Sequence, residues 1–252
     1  MTWTYVAASN ATGGGAETYT PAITGVQEHD LVVMTAMCKG DGIDETTLGM
    51  GAGWTLIAGV PATATTDPGL YVWYAIAGAE GALPDLTVTK ITGGAISHYL
   101  RAYAYRSSSG IPAKGAHALA ANLAEATTAT LSDGVSNTAA GALIFTYATA
   151  GGATTYNSVN ATDPSVLSAN NSTAYHLSDP EVDAWRQRGA LSSSSGTGHA
   201  YSLADTVKTS VGPTGPIVWG KNSSGRKSSI LAVSFEPTGG AIPTSPQGTT
   251  TI

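Results

Sequence analysis

Two acidic stretches are the first places in this sequence where side chains could carry out chemistry. Asp179, Glu181 and Asp183 alternate in the sequence DPEVD and would share one face of an extended segment. A second group lies in a glycine-rich stretch and consists of Asp41, Asp44 and Glu45. Carboxylates grouped in this way can bind Ca²⁺ or act as the acid and base of glycoside hydrolysis. Neither stretch has the residue order of a known calcium loop, so solvated loop acids are the favoured interpretation.

The other reactive residue types form no recognisable catalytic pattern. The histidines are spread along the chain without an H-x-x-H or H-E-x-x-H spacing: His29, His98, His117, His176 and His199. With Cys38 as the single cysteine, a zinc site is not expected. No serine lies in a G-x-S-x-G motif, and the glycines from Gly49 to Gly53 precede a strand pattern, whereas a phosphate loop needs a helix there. We therefore expect no enzyme activity, no metal and no cofactor.

Trp185 is the aromatic residue with the most interesting neighbours, because Arg186 and Arg188 follow it closely. An exposed tryptophan flanked by polar groups could stack against a sugar or contact another subunit. It could also be a core residue of an internal repeat, in which Trp54 would be its counterpart. All three interpretations stay open from the sequence.

A basic turn is predicted near the end of the chain. Lys221, Arg226 and Lys227 flank the sequence NSSG and supply three of the 11 basic residues. Such a hairpin tip is most often just solvated, but an acidic shell protein could dock there.

The composition suits a protein that is packed against neighbouring molecules, and the alternative is an ordinary soluble domain with few charges. Only 11% of the residues are charged, against about 25% in ordinary globular domains. The formal net charge of −6 argues against binding to nucleic acid or an anionic membrane, since both need a basic surface. One cysteine allows no intrachain disulfide, and the chain does not open on the basic and apolar regions of a secretory signal.

Short apolar runs bounded by glycine and proline predict an all-β fold. The densest run, Gly69 to Ala77, is apolar on both faces and should be a strand inside a sheet that is covered on both sides. The other predicted strands are Trp3 to Ala8, Asp30 to Cys38, Trp54 to Val60, Asp85 to Ile91, Ile96 to Arg106, Gly141 to Ala148, Gly198 to Leu203, Pro216 to Gly220 and Arg226 to Glu236. Gly93-Gly94 predicts a hairpin, and the Ala-rich segment Lys114 to Ala126 is assigned to a loop with some helical character.

An internal echo suggests two copies of one strand pattern. DLVVMTAM at Asp30 resembles GALIFTYA at Gly141, and HYLRAYAYR resembles SILAVSFEP. Trp54 and Trp185 lie 131 residues apart, as do Leu100 and Leu231, whereas Leu31 and Leu143 lie 112 apart. We expect the two copies to interleave in a double-sheet β-sandwich of jelly-roll type, forming a single domain over residues 1–236.

The strand series resembles the β-sandwich virion proteins of tailed bacteriophages and phage-like particles, such as capsid decorations, head spikes and tail fibres. The resemblance rests on DLVVMTAM, GWTLIAG, YVWYAIA, DLTVT, YLRAYAYR, GALIFTYA and the terminal SFEP. It implies a non-enzymatic structural protein, made in a bacterial host cytoplasm and located on the particle surface. It also implies assembly as a trimer or higher homo-oligomer with capsid or tail proteins. The alternative is a carbohydrate-binding module that attaches the particle to host envelope polysaccharide.

The C-terminal segment 237–252 has a Pro/Gly/Thr composition that cannot build a core. We expect it to be an extended arm that lies on a neighbouring subunit, with Ile242 and Ile252 as its apolar contacts.

Overall fold

The computed structural model describes residues 2–9, 12–14, 18–19, 22–38, 47–62, 67–92, 98–124, 126–151, 156–159, 180, 182–191, 199–222 and 227–238. The strands of the first half are β1 Trp3–Ala8, β2 Thr12–Gly14, β3 Thr18–Tyr19, β4 Leu31–Cys38, β5 Thr47–Met50, β6 Thr55–Val60, β7 Gly69–Ile76, β8 Val88–Thr92 and β9 His98–Ser107. The strands of the second half are β10 Pro112–Leu123, β11 Thr128–Leu131, β12 Ser136–Asn137, β13 Ala142–Gly151, β14 Tyr156–Val159, β15 Arg186–Leu191, β16 His199–Lys208, β17 Gly212–Pro213, β18 Ile217–Lys221 and β19 Ser228–Pro237. One short 3₁₀ helix, Ala79–Gly81, lies between β7 and β8.

The protein is all-β and contains two large antiparallel sheets. Large sheet 1 has the strand order β1-β9-β4-β7-β6, with β2 added on β9, and large sheet 2 has the order β10-β19-β13-β16-β15. Two three-stranded sheets accompany them: small sheet 1 is β3-β8-β5 and small sheet 2 is β11-β18-β14. A two-stranded pair, β12 and β17, belongs to the second half.

The sheets stack with three apolar layers between them. The main core lies between the two large sheets and takes side chains from both, including Leu31, Val72, Tyr103, Phe145 and Val233. A first outer core joins large sheet 1 to small sheet 1 and includes Trp73, Val88 and Leu100. A second outer core joins large sheet 2 to small sheet 2 and includes Ile144, Trp219 and Ile230. Because each large sheet is covered on both faces, its inner strands can be apolar throughout.

The prediction for the Gly69 run is confirmed. Strand β7 lies inside large sheet 1 between β4 and β6, and its side chains enter both the main core and the first outer core. Its neighbour β4 is buried along its whole length.

Each half of the chain builds its own sheets, so the expected interleaving is wrong. In the described part of the chain, every named strand pairs only with strands of its own half. The physical reason is that each half already supplies antiparallel partners for its own strands: β9 pairs with β1 and β4, and β10 pairs with β19, although β9 and β10 are adjacent in the chain. The halves meet face to face through side chains in the main core instead.

The internal echo corresponds to matching strand registers. Leu31 pairs with Tyr105 in the first half, and Leu143 pairs with Phe235 in the second. Leu100 pairs with Ala36, and Ile230 pairs with Ala148, the counterpart of Ala36 in the second half. Leu100 is therefore equivalent to Ile230. The 131-residue match of Leu100 to Leu231 is therefore wrong by one residue. A slip of one residue changes the face of a strand, and Leu231 indeed lies in the main core whereas Leu100 and Ile230 lie in outer cores.

Four local predictions are also corrected. The segment Lys114 to Ala126 is mostly strand, because β10 pairs with β19 and tertiary pairing outweighs the helix preference of alanine. No hairpin joins β8 to β9, since the two strands lie in different sheets. The strand predicted from Asp85 begins only at Val88. The strand predicted to end at Glu236 continues to Pro237, and Thr238 N–H still donates to the Ile111 carbonyl.

That residues 1–236 form one domain stays a prediction, although the main core takes side chains from both halves. Among the described residues, no helix is long and apolar enough to span a bilayer.

Candidate functional site

A buried charged cluster lies in the main core, and its position follows from a bulge in an edge strand. Strand β15 pairs with β16, and the register shifts between Gln187 and Gly189. A bulge adds one residue and redirects its side chain, and here the extra residue is Arg188. Strand β6 has a bulge at the matching place, between Leu56 and Ala58, where the extra residue is Ile57. Ile57 belongs to the main core.

Asp205 on β16 is the ionic partner of Arg188. The Arg188 Nε donates to Asp205 Oδ2, and Nη2 donates to Oδ1 at 2.9 Å. Neither side chain is exposed to solvent. The first half of the chain completes the cluster: the Tyr105 hydroxyl donates to Asp205 Oδ2 at 2.8 Å, and the Arg188 guanidinium carbon lies 4.4 Å from the centre of the Tyr5 ring. The pair is thus hydrogen-bonded and stacked across the two large sheets.

The electrostatics of this cluster are those of an interior ion pair. Burial raises the pKa of Asp205, and the charge and hydrogen bonds of Arg188 with the Tyr105 hydroxyl only partly offset that effect. Burial by itself lowers the pKa of Arg188, but attraction to Asp205 outweighs it and the pKa is raised. The pKa of Tyr105 is raised by burial and by the neighbouring carboxylate. Arg188 and Asp205 therefore persist as a bidentate pair that no solute can reach.

The expectation that Arg188 lines a sugar-binding or subunit-contact surface is wrong. Its side chain points into the main core because the bulge turns it away from solvent. The ion pair holds the two halves of the chain together and has no access to a ligand.

Trp185 and Arg186 occupy a different environment. Trp185 is half-buried and packs on the edge of the second outer core, as Trp54 packs on the first. Thr55 pairs with Tyr74, and Arg186 pairs with Asp205, which is the counterpart of Tyr74 in the second half. Trp54 and Trp185 directly precede Thr55 and Arg186, so the two tryptophans occupy equivalent positions. This supports the interpretation of Trp185 as a repeat residue, while its open side, together with the half-buried Arg186, stays accessible.

The basic turn is only partly where the sequence places it. Lys221 is buried at 5% exposure and its Nζ donates to Ser228 Oγ at 2.9 Å, so the expectation that it docks a shell protein is wrong. It is buried because it lies on the same face of β18 as Ile217 and Trp219, which pack in the second outer core. Lys227 is half-exposed and pairs with Asp67 at 2.8 Å, which joins the second half of the chain to the first. Arg226 lies outside the described residues, as do Ile242 and Ile252 of the arm.

Of the two acidic stretches, the structure describes Asp183. The other acidic residues lie outside the described residues: Asp41, Asp44, Glu45, Asp179 and Glu181. Asp183 is exposed, and its carboxylate accepts hydrogen bonds from the hydroxyl and the N–H of Thr209. These bonds lower its pKa. In the described part of the chain, no group of three or more acidic, histidine or cysteine residues is placed to hold a metal ion.

Asp205 and Arg101 are among the interior charged residues that sequence reasoning missed. Arg101 is 1% exposed, its Nε donates to the Ser9 carbonyl at 3.0 Å, and its guanidinium lies 5.8 Å from the Tyr103 ring centre. The alternation of Tyr99, Arg101, Tyr103 and Tyr105 on one face of a strand was the available signal for Arg101. Asp205 gave none, because its strand shows little similarity to β7 residue by residue.

A scan of protein families, a search of curated proteins and a search of solved structures found no match to this chain.

Proposed function

We propose that this protein is a non-enzymatic structural component on the surface of a phage or phage-like particle. It assembles with copies of itself and with capsid or tail proteins, after synthesis in a bacterial host cytoplasm. The observation that carries this proposal is the repeated sandwich. The same arrangement of a large and a small sheet occurs twice, in a chain whose strand sequences resemble those of virion sandwich proteins.

The strand order supports a jelly-roll-type topology for each half. When β2, β12 and β17 are set aside, the described residues form eight main strands in each half. In both halves the first, eighth, third, sixth and fifth lie side by side in the large sheet, and the second, seventh and fourth form the small sheet. Eight antiparallel strands divided between two sheets, with neighbours distant in sequence, are typical of jelly rolls, and this architecture is common in capsid proteins.

The rigidity of the stack and the sparse charge suit an assembly role. Three apolar layers and bidentate ion pairs leave few side chains to move. Because only 11% of the residues of the chain are charged, few charged groups lose their hydration when the surface packs against neighbours. A trimer or higher homo-oligomer, joined through the C-terminal arm, is the form we expect.

The second candidate is a module that binds host envelope glycan. The half-exposed Trp185 beside Arg186 favours it, because tryptophan rings at the surface combine an apolar face with a polar N–H. A glycan array separates this candidate from the first.

Electron microscopy of the native source, with an antibody against this protein, tests the particle role. Labelling on the surface of particles is the expected result. Purified particles that lack the protein would contradict the role. A turnover assay on bacterial polysaccharide would contradict the non-enzymatic assignment if it detected product.

A further inference from the structure

His29 has a left-handed backbone conformation at a place where the other half of the chain uses glycine. Its φ is 69°, and that of Gly141 is 79°. The two residues are equivalent, because His29 N–H donates to the Ala77 carbonyl at 2.9 Å and Gly141 N–H to the Lys208 carbonyl at 2.7 Å, each just before the start of a central strand. A side chain in this conformation costs backbone free energy that glycine does not. Glu80 and Asp183 also have positive φ, and residues in such conformations are enriched at functional sites.

The His29 side chain lines a cleft of about 190 Å³, a volume suited to a ligand of one ring. One wall is a rigid ion pair: Arg106 Nε donates to Asp30 Oδ1 and Arg106 Nη2 donates to Asp30 Oδ2, both at 2.8 Å. The Gln27 N–H also donates to Asp30 Oδ2 at 2.8 Å, which fixes the turn that carries His29. The wall is therefore preorganised before any ligand arrives.

The other half of the chain does not repeat this wall. The residue that matches Asp30 is Ala142, and the residue that matches Arg106 is Glu236. The Glu236 carboxylate accepts hydrogen bonds from the N–H and hydroxyl of Thr138, so it is used inside its own half. The cleft is thus an asymmetric addition to a repeated scaffold.

The groups that open into the cleft combine donors and acceptors. Glu28 is exposed, and its Oε1 lies 3.7 Å from His29 Nε2. Gln27 is exposed and also lines the cleft. Arg106 uses Nε and Nη2 for Asp30 and the Gly25 carbonyl, so its Nη1 hydrogens are bonded to none of the described residues. A carboxylate, an imidazole, an amide and a guanidinium therefore border one small space.

We propose that this cleft binds a neutral sugar unit through vicinal hydroxyl groups. Each hydroxyl can donate to Glu28 and accept from Arg106, Gln27 or His29, whereas a purely anionic or purely cationic ligand leaves part of the set unpaired. Glu28 carries a charge that the Asp30–Arg106 pair does not cancel, so phosphate and sulfate are disfavoured. The inference goes beyond the particle role and does not use Trp185.

Ligand-observed saturation-transfer NMR on the full chain tests the proposal. The probes are glucose, galactose, mannose and N-acetylglucosamine, with inorganic sulfate as the anionic arm. We expect at least one sugar to bind the wild type, and in a separate protein-observed spectrum that sugar should shift the imidazole signal of His29. Glu28→Gln should weaken that sugar at least tenfold. His29→Gly should also lose it, but should raise the melting temperature, because glycine suits the backbone here as Gly141 does. His117→Gln, which alters an exposed histidine of β10 that does not line the cleft, is the matched control and should bind like the wild type.

If His29→Gly raises the melting temperature and also abolishes sugar binding, the loss of binding is not caused by unfolding. The proposal is overturned if none of the four sugars binds. It is equally overturned if binding is unchanged in His29→Gly and Glu28→Gln, or if sulfate binds and the sugars do not. Each of these results leaves the particle role to be judged by microscopy alone.

Discussion

Arg188 and Asp205 form a buried ion pair at the positions where the first half of the chain has Ile57 and Tyr74. The strand registers make the two sites equivalent. Tyr74 packs on Phe235 of the second half with ring centres 5.6 Å apart, and Asp205 correspondingly accepts a hydrogen bond from Tyr105 of the first half. The two halves therefore make reciprocal contacts across the main core, one aromatic and one ionic.

This reciprocity gives the ion pair a role in specifying partners. If two second halves from different chains packed together in the same way, Asp205 would face Phe235, which cannot donate a hydrogen bond. A buried carboxylate deprived of a donor is costly. The ion pair therefore favours the pairing of a first half with a second half over the pairing of two second halves.

Removal of one partner from the ion pair should be strongly destabilising. Arg188→Met leaves Asp205 buried with Tyr105 as its remaining donor, so we expect a loss of about 3–5 kcal/mol in the free energy of unfolding. Arg188→Met combined with Asp205→Leu removes both charges and should recover most of that loss. Equilibrium unfolding in denaturant, arranged as a double-mutant cycle, gives the coupling energy. Arg186→Gln on the same strand is the control and should cost less than about 1 kcal/mol. Equal effects of Arg188→Met and Arg186→Gln would contradict the interpretation.

The ion pair between Lys227 and Asp67 also joins the halves, but it should contribute little. The Lys227 side chain is 46% exposed, so water screens the attraction. Lys227→Met should change the free energy of unfolding by less than about 1 kcal/mol, and the difference should shrink as salt is added. A loss as large as that of Arg188→Met would show that exposure does not govern these two pairs.

Cys38 should react with thiol reagents only when the protein opens. Its side chain is fully buried in the first outer core, and burial raises the pKa of the thiol to about 12. The thiolate is the reactive form, so labelling of the native protein near neutral pH should be far slower than labelling of a free thiol. The labelling rate followed by mass spectrometry should rise with denaturant in step with global unfolding. Rapid labelling without denaturant would contradict the burial of this strand.

Asp85 should stabilise the fold above pH 3.8 and lose that effect in acid. Its Oδ1 accepts hydrogen bonds from Thr87 N–H at 3.0 Å and from the Thr87 hydroxyl at 2.6 Å, and these bonds lower its pKa from the ordinary 3.8. A carboxyl group whose pKa is lower in the folded state stabilises that state above the unfolded pKa, and the effect is lost as the pH falls through the folded value. Asp85→Ala should therefore lower the melting temperature at neutral pH, and the gap should close in acid.

Trp54 gives a local readout for this effect, because its Nε1 donates to the Asp85 carbonyl at 2.9 Å. Asp133→Ala, which changes an exposed aspartate of the other half, serves as the control. A melting-temperature gap for Asp85→Ala that does not change with pH would contradict the assignment.

Removal of the arm should weaken assembly and leave the sandwich folded. Pro237 pairs with Pro112, and Thr238 N–H donates to Ile111 at 3.2 Å, so the truncation belongs after residue 238. We expect an unchanged melting temperature, a lower oligomer mass by light scattering and poorer incorporation into particles. If the truncated chain assembles as well as the full chain, the arm has no role in assembly.

The sequence by itself determined the fold class and most strand positions. The alternation and double-sided apolar character of the Gly69, Asp30 and Gly141 runs require strands that are covered on both faces, since neither face can remain in water at low cost. The echo between the halves was also readable, because equivalent strands need the same burial pattern.

Only the tertiary structure decided which surfaces meet. The alternation of apolar and polar residues predicts a strand, but it does not identify the strand with which it pairs. The sequence therefore did not show that each half forms its own sheets. A bulge changes the direction of one side chain without a trace in composition, which is why Arg188 was placed at the surface. The segment Lys114 to Ala126 became a strand because β19 offers it a ladder of hydrogen bonds. Asp205 can be buried because Arg188 and Tyr105, 17 and 100 residues away in sequence, meet it there.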